Sequence, residues 1–235
     1  MHHPIAHTLK KFDEELATLR DRVLQMGGLA EEQVRRAVQA LEQGDPQTAR
    51  EVIGRDRELD VIELEIDEGI AHVLALRAPL GVDLRTVLTL GKTVTDLERI
   101  GDEARKVARS AEALHEETGD APGLPFLPDL PLLAQQALGM LRSALDALVR
   151  RDLERARGLG AMDDRLDRDF AAITVRIRDF MADQPELIGP CLHVLFAAKA
   201  LERIGDHAKN IGDYVFYLVE GRDIRHPEVN PAFSG

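Results

Sequence analysis

The sequence predicts an all-α protein made of two tandem, homologous three-helix bundles with six long helices. Apolar residues recur every three or four positions along most of the 235-residue chain, which is the spacing of an amphipathic helix. Aromatic residues make up only 4% of the sequence and tryptophan is absent, a composition that suits slender helix packing. The hexapeptide LERIGD occurs at residues 97–102 and again at 201–206, which indicates a duplicated scaffold.

The first half of the chain is predicted to hold three helices separated by strong turn signals. Gly27-Gly28 interrupts the first apolar pattern, so this element is either one bent helix or two short ones. Gly44-Asp45-Pro46 combines a helix end, a helix cap and a first-turn proline, and Pro79-Leu80-Gly81 forms the next turn. The three apolar patterns cover residues 12–41, 46–76 and 84–115.

The second half repeats this plan after a linker. The stretch TGDAPGLPFLPDLP, residues 118–131, concentrates proline and glycine and cannot sustain a helix. We therefore place the first bundle at residues 1–120 and the second at 121–235, with an irregular tail after residue 220. The expected helices of the second bundle cover residues 132–149, 153–181 and 187–219.

Each half carries two acidic pairs with a spacing of one helical turn. Glu98 and Asp102 lie nearly opposite the apolar stripe of the third helix, and Glu202 and Asp206 repeat them in the last helix. The preceding helix of each half carries a second pair. These second pairs are Asp56 with Asp60, and Asp163 with Asp167.

Closing each helical hairpin brings its two acidic pairs to the same level. Asp56 and Asp102 are equally distant along the chain from Pro79, as are Asp60 and Glu98, and the second half has the same symmetry about the Gln184-Pro185 bond. The sequence therefore predicts four converging carboxylates in each half. Gly101 and Gly205 lie beside these groups, where a missing side chain lets a neighbouring helix or a cluster of ions approach.

Carboxylates at this density repel one another unless positive charge lies among them. Oxygen donors suit Mg²⁺, Ca²⁺, Mn²⁺ and iron, and bridging carboxylates favour several ions together. Arginine is the other source of positive charge, and Arg99 and Arg203 lie beside the motifs; a plain solvated acidic face is the simplest alternative. His207 lies at the edge of the apolar stripe and is predicted to be partly buried rather than a ligand.

The composition excludes several classes of function. A protein with a net charge of -12 is poorly suited to binding nucleic acid, because that requires clustered lysine and arginine. The single cysteine, Cys191, rules out an internal disulfide framework and fits a reducing compartment. The first residues lack the apolar stretch of a secretory signal and no long apolar run follows, so we expect a cytoplasmic protein that reaches a membrane only through partners.

Both LERIGD motifs, the stretch PLGVDLR at residues 79–85, the closing YLVEG and the six-helix layout resemble the PhoU family of phosphate-signalling proteins. The resemblance implies multinuclear metal clusters, often of iron, with manganese, magnesium, zinc and calcium as alternatives. The implied ligands are Asp56, Asp60, Glu98 and Asp102 in one half, and Asp163, Asp167, Glu202 and Asp206 in the other. It also implies a protein that is not an enzyme.

The same resemblance implies the partners of the protein. They are the ATPase subunit of the Pst phosphate transporter and a sensor histidine kinase, which such proteins link in order to repress the phosphate-starvation response. Because the bundles are slender and the helices long, we also expect a homodimer.

Two other hypotheses compete with this one. A metal-free adaptor would use the acidic faces to recognise basic partners. A carboxylate-bridged di-metal oxidase is less favoured, because it requires inward-facing ligands and a Glu-x-x-His pair that the relevant helices lack.

Overall fold

A computed structural model describes residues 4–119 and 123–225, and side chains from residue 10 onward. This part of the chain contains six α-helices and two short 3₁₀ turns, without strands, which confirms the predicted fold class. The predicted domain boundary between residues 120 and 121, and the end of the predicted tail, lie outside the described residues. The helices are α1 (Pro4–Gln43), α2 (Pro46–Arg77), α3 (Val82–Thr118), α4 (Leu130–Arg150), α5 (Leu153–Asp183) and α6 (Ile188–Glu220).

The first helix is continuous across Gly27-Gly28, which settles the alternative that the sequence left open. A Cβ atom added to Gly27 would lie 2.5 Å from Leu145 Cδ1 on α4. Gly27 is therefore explained by a close approach between α1 and α4 and not by a break in the helix.

Aspartate caps begin the second helix of each half. Asp45 Oδ1 accepts hydrogen bonds from the backbone N–H groups of Gln47 at 2.9 Å and Thr48 at 3.2 Å, and α2 begins at Pro46 as predicted. Asp152 Oδ1 accepts one from the Arg155 N–H at 3.0 Å. These bonds satisfy amide donors that have no partner within the helix.

Helices α3 and α6 run through the centre of the molecule and pack against each other, while α1 also packs against α4. Within each half, all three helices contact one another. The apolar stripes of the repeated motifs are completely buried, including Leu97 and Ile100 on α3 and Leu201 and Ile204 on α6. Both halves thus contribute to one continuous apolar core.

In the described part of the chain, no helix combines the length and the apolar character that crossing a membrane requires.

Candidate metal centres

The first acidic cluster lies on the outer side of the α2–α3 hairpin. Asp56 is buried with 7% of its surface exposed, Glu98 and Asp102 are half-buried, and Asp60 is exposed. α2 contributes the two aspartates of DRELD, and α3 contributes Glu98 and Asp102 from the face away from its apolar stripe.

The predicted residues of this cluster are near enough to one another for their charges to interact. Desolvation raises the pKa of Glu98, and the negative charges of Asp102, Glu63, Asp60 and Asp56 raise it further. Burial also raises the pKa of Asp56, with further repulsion from Asp102 and Asp60 against the attraction of Arg105. The hairpin register inferred from the turn at Pro79 therefore places the four predicted carboxylates within electrostatic range of one another, and Glu63 lies in the same range of Glu98.

Arg105 bridges the two helices of the first cluster. Its guanidinium donates hydrogen bonds to Asp56 Oδ2 and Asp102 Oδ1. Within the described residues, neither Asp60 nor Glu98 forms an ion pair. One arginine among these five carboxylates leaves the cluster negative.

The second cluster repeats the arrangement with lysines. Lys209 donates to Asp163 Oδ2, and Lys199 donates to Glu202 Oε2 at 2.5 Å. Asp163 is buried with 5% exposure, whereas Asp167 and Asp206 are exposed. Although Asp206 is at the surface, desolvation raises its pKa, and repulsion from Glu202, Asp163 and Asp167 adds to the shift.

The chemistry of both clusters fits a hard cation, but neither is arranged as a finished coordination shell. Among the described residues, no group of three or more His, Cys, Asp or Glu side chains is placed to hold a metal ion. Each cluster nevertheless offers carboxylate oxygens from two facing helices, and Asp163 Oδ1 is buried with no hydrogen-bond partner in the described part of the chain. The donor set therefore fits an oxygen-liganded metal once the covering lysine or arginine side chains move aside.

The neutralising cations are not the arginines that the sequence indicated. Arg99 forms no ion pair with any described residue, and Arg203 pairs with Glu103 at 3.0 Å. The residues missed are Arg105 and Lys209, each three positions after the motif aspartate on its helix. Their separation along the chain equals that of the two LERIGD motifs, so the duplication was a signal that could have found them.

The motif glycines make room for the neighbouring helix. A Cβ atom added to Gly101 would lie 2.3 Å from Leu59 Cδ1 of α2, and one added to Gly205 would lie 2.3 Å from Leu166 Cδ2 of α5. Of the two alternatives raised by the sequence, the approach of a helix accounts for these glycines.

His207 is buried, as the sequence suggested, and belongs to a polar cluster between the two bundles. His207 Nδ1 lies 2.8 Å from Asp96 Oδ1, and the Tyr214 hydroxyl donates to Asp96 Oδ2 at 2.6 Å. Asn210 Nδ2 donates to Asp96 Oδ1 at 3.3 Å. Burial and the adjacent Asp96 carboxylate raise the pKa of the Tyr214 hydroxyl.

Comparison with known sequences relates both halves to one family. A sequence model of the PhoU domain matches residues 23–111 and 130–215. The chain is 40% identical over 220 residues to a phosphate-specific transport system accessory protein PhoU homolog of Pseudomonas putida, covering 94% of this chain and 85% of that protein. It is 34% identical over 220 residues to the phosphate-specific transport system accessory protein PhoU of Escherichia coli strain K12, covering 94% and 90%.

Solved structures show the same fold. The crystal structure of PhoU from Pseudomonas aeruginosa matches with a TM-score of 0.84 and 40% identity, covering 90% of this chain and all of that one. The phosphate transport system regulatory protein PhoU from Streptococcus pneumoniae matches with a TM-score of 0.83 and 29% identity, covering 91% and 99%.

Proposed function

This chain belongs to the PhoU family, and on that premise we propose that it is an accessory protein of a phosphate-specific transport system that represses the phosphate-starvation response. In this proposal the protein is a cytoplasmic homodimer that links the ATPase subunit of the Pst phosphate transporter to a sensor histidine kinase. It acts by binding these partners and not as an enzyme.

The observation that carries this proposal is the identity of 34–40% across nearly the whole chain with proteins named as accessory components of phosphate-specific transport. The family match covers both bundles, and a protein that links two partners needs a separate binding surface for each of them. The acidic outer faces of the hairpins add a second line of support, because strongly charged patches select partners of opposite charge.

We further propose that the two acidic clusters hold multinuclear metal centres, most suitably of iron. Asp56, Asp60, Glu98 and Asp102 would hold one centre, and Asp163, Asp167, Glu202 and Asp206 the other. Desolvation, with repulsion from neighbouring carboxylates, raises the pKa of Glu98 and Asp206, and a bound cation would offset both effects and present positive charge on a face that is otherwise acidic. Support comes from the oxygen-only donor set and from the unpartnered Asp163 Oδ1.

Elemental analysis of purified variants tests the metal proposal. The replacements Glu98→Ala with Asp102→Ala should remove the metal of the first half and leave that of the second half. A matched control, Glu112→Ala with Glu116→Ala, removes an acidic pair of the same spacing from the same helix and should keep full metal content. Equal metal content in both variants would contradict the proposal.

A metal-free adaptor is the second candidate, and one observation favours it. Arg105 already neutralises part of the first cluster by bridging Asp56 and Asp102, and Lys209 pairs with Asp163 in the other half. In that case the purified protein contains no stoichiometric metal, yet the regulatory function survives chelation.

The regulatory function is tested in a bacterium that lacks its own accessory protein and carries a reporter of phosphate starvation. Expression of this chain should restore repression of the reporter in phosphate-rich medium. The Glu98→Ala, Asp102→Ala variant separates the two candidates, since it should lose repression if metal is required. Failure of the unaltered chain to repress, despite stable expression, would argue against the regulatory role.

A further inference from the structure

A cavity of about 150 Å³ lies between the two bundles, away from the acidic clusters. Residues of α1, α3, α4 and α6 line it. Its walls are mainly apolar and include Val23, Leu90, Leu148 and Leu218. A cavity of this volume accommodates a ring of about six carbons, and contacts between domains are a common place for small-molecule sites.

Two arginines that form no direct ion pair among the described residues line the same cavity. Arg20 on α1 and Arg151 at the end of α4 form no hydrogen bond or ion pair within the described residues. Burial lowers the pKa of the Arg20 guanidinium and the positive charge of Arg151 lowers it further, while the weaker attraction of Asp83 and Asp13 does not cancel this shift. Two like charges that repel each other beside an apolar cavity are stabilised by an anion between them.

Arg151 occupies a position where the fold favours glycine. Arg151 precedes the helix cap Asp152, just as Gly44 precedes the helix cap Asp45. The backbones of Arg151 and Gly44 are both in the left-handed region, with φ of 54° and 64° respectively. A left-handed backbone costs an arginine free energy that glycine avoids. The second half therefore carries a strained arginine where the first half has the unstrained residue, and its side chain lines the cavity.

A buried hydroxyl completes the lining. Thr89 has no exposed surface, and its Oγ1 has no hydrogen-bond partner among the described residues. Neighbouring threonines on α3 do find partners, since Thr86 donates to Val82 O at 2.8 Å and Thr93 donates to Thr89 O at 2.9 Å. An unsatisfied buried hydroxyl is costly, and this one lies within the wall of the cavity.

We propose that this cavity binds a small organic anion, a carboxylate with an apolar body of about six carbons. The carboxylate is bound by Arg20 and Arg151, whose planar guanidinium groups match its two oxygens, and the hydrocarbon occupies the space between the leucine and valine side chains. The site requires no metal and is independent of the function proposed above.

Titration calorimetry on the full chain tests this site with three probes. Sodium hexanoate has both the charge and the apolar body and should bind. Hexanol lacks the charge and inorganic phosphate lacks the apolar body, so each should bind about tenfold more weakly or not at all, since a charged hydrogen bond or the buried hydrocarbon is lost. Phosphate binding more tightly than hexanoate, or hexanol binding as well as hexanoate, would overturn the proposal.

Arg151→Gly is the decisive variant, because it restores the residue found at position 44 and relieves the left-handed strain. It should weaken hexanoate binding about tenfold while the melting temperature stays equal or rises. Arg150→Ala removes the same charge from the adjacent residue, which does not line the cavity, and should leave hexanoate affinity within about twofold. Arg20→Met, which keeps an apolar stem, should weaken binding like Arg151→Gly; unchanged affinity in both would refute the site.

Discussion

At the scale of single residues, the raised pKa of Asp213 means that its charged form destabilises the folded protein at neutral pH. Asp213 lies on α6 one turn beyond Lys209, and desolvation raises its pKa from 3.8 to about 6 despite the nearby Lys209 and Arg225. Between about pH 4 and pH 6 the folded protein keeps the proton that the unfolded chain has already released. The cost of ionising this group in the folded protein is therefore absent below about pH 4, grows as the pH rises, and is fully present above about pH 6.

Replacing Asp213 with asparagine should remove this pH dependence. A shift of this size corresponds to about 3 kcal/mol, and solvent screening of the partly exposed group reduces the expected effect to about 1–2 kcal/mol. Asp213→Asn should therefore raise the free energy of unfolding by that amount at pH 8 and leave it unchanged at pH 4. Urea unfolding at both pH values measures this, and equal differences at the two pH values would contradict it.

At the scale of helices, the repeated motif explains how α2 and α3 approach each other. Gly101 gives up about 1 kcal/mol of helix propensity relative to alanine, and in return it lets Leu59 pack into the space of its missing side chain. Gly205 and Leu166 repeat the contact between α6 and α5. The glycine of the motif thus sets the helix separation across which the acidic pairs face each other.

Gly101→Ala should be destabilising even though alanine favours a helix. The new Cβ atom meets the fully buried Leu59, and overpacking of this kind costs about 1–3 kcal/mol, which exceeds the gain in propensity. Gly158→Ala on α5 is the matched control, because nothing lies within 4 Å of its added Cβ atom. The control should gain about 0.5–1 kcal/mol in urea unfolding, and an equal gain for Gly101→Ala would refute the packing argument.

The same helices show what the sequence predicts well and what it does not. Helical periodicity and the duplication located Asp56, Asp60, Glu98 and Asp102, because side-chain direction within a helix and the register of a tight hairpin are local properties. Long cations such as Arg105 reach several acceptors, so their pairing depends on rotamers that periodicity does not determine. Asp96 was missed for another reason, since its partners belong to the other bundle.

At the scale of the whole molecule, the two bundles pack against each other and share one apolar core. Besides the shared core, several polar contacts join the halves, among them the Asp96 cluster, the ion pair between Glu103 and Arg203 at 3.0 Å, and the pair between Arg142 and Glu31. Glu103 and His207 occupy equivalent positions in the two motifs, yet one is an acid and the other a histidine. The duplicated halves have thus become different where they meet, which favours one fixed pairing of α3 with α6.

Asp96→Ala tests how strongly these contacts couple the halves. The replacement leaves the Tyr214 hydroxyl, the His207 ring and the Asn210 amide without their shared acceptor in a buried interface, and should lower the free energy of unfolding by about 3–5 kcal/mol. Because the chain lacks tryptophan, circular dichroism is the suitable signal for urea unfolding.

Glu116→Ala, which removes an exposed acid from the same helix, should change the stability by less than about 0.5 kcal/mol. If the Asp96 cluster holds the bundles together, hydrogen exchange in Asp96→Ala should accelerate most along the facing sides of α3 and α6. A loss of stability no larger than that of Glu116→Ala would mean that the Asp96 cluster does not hold the two halves together.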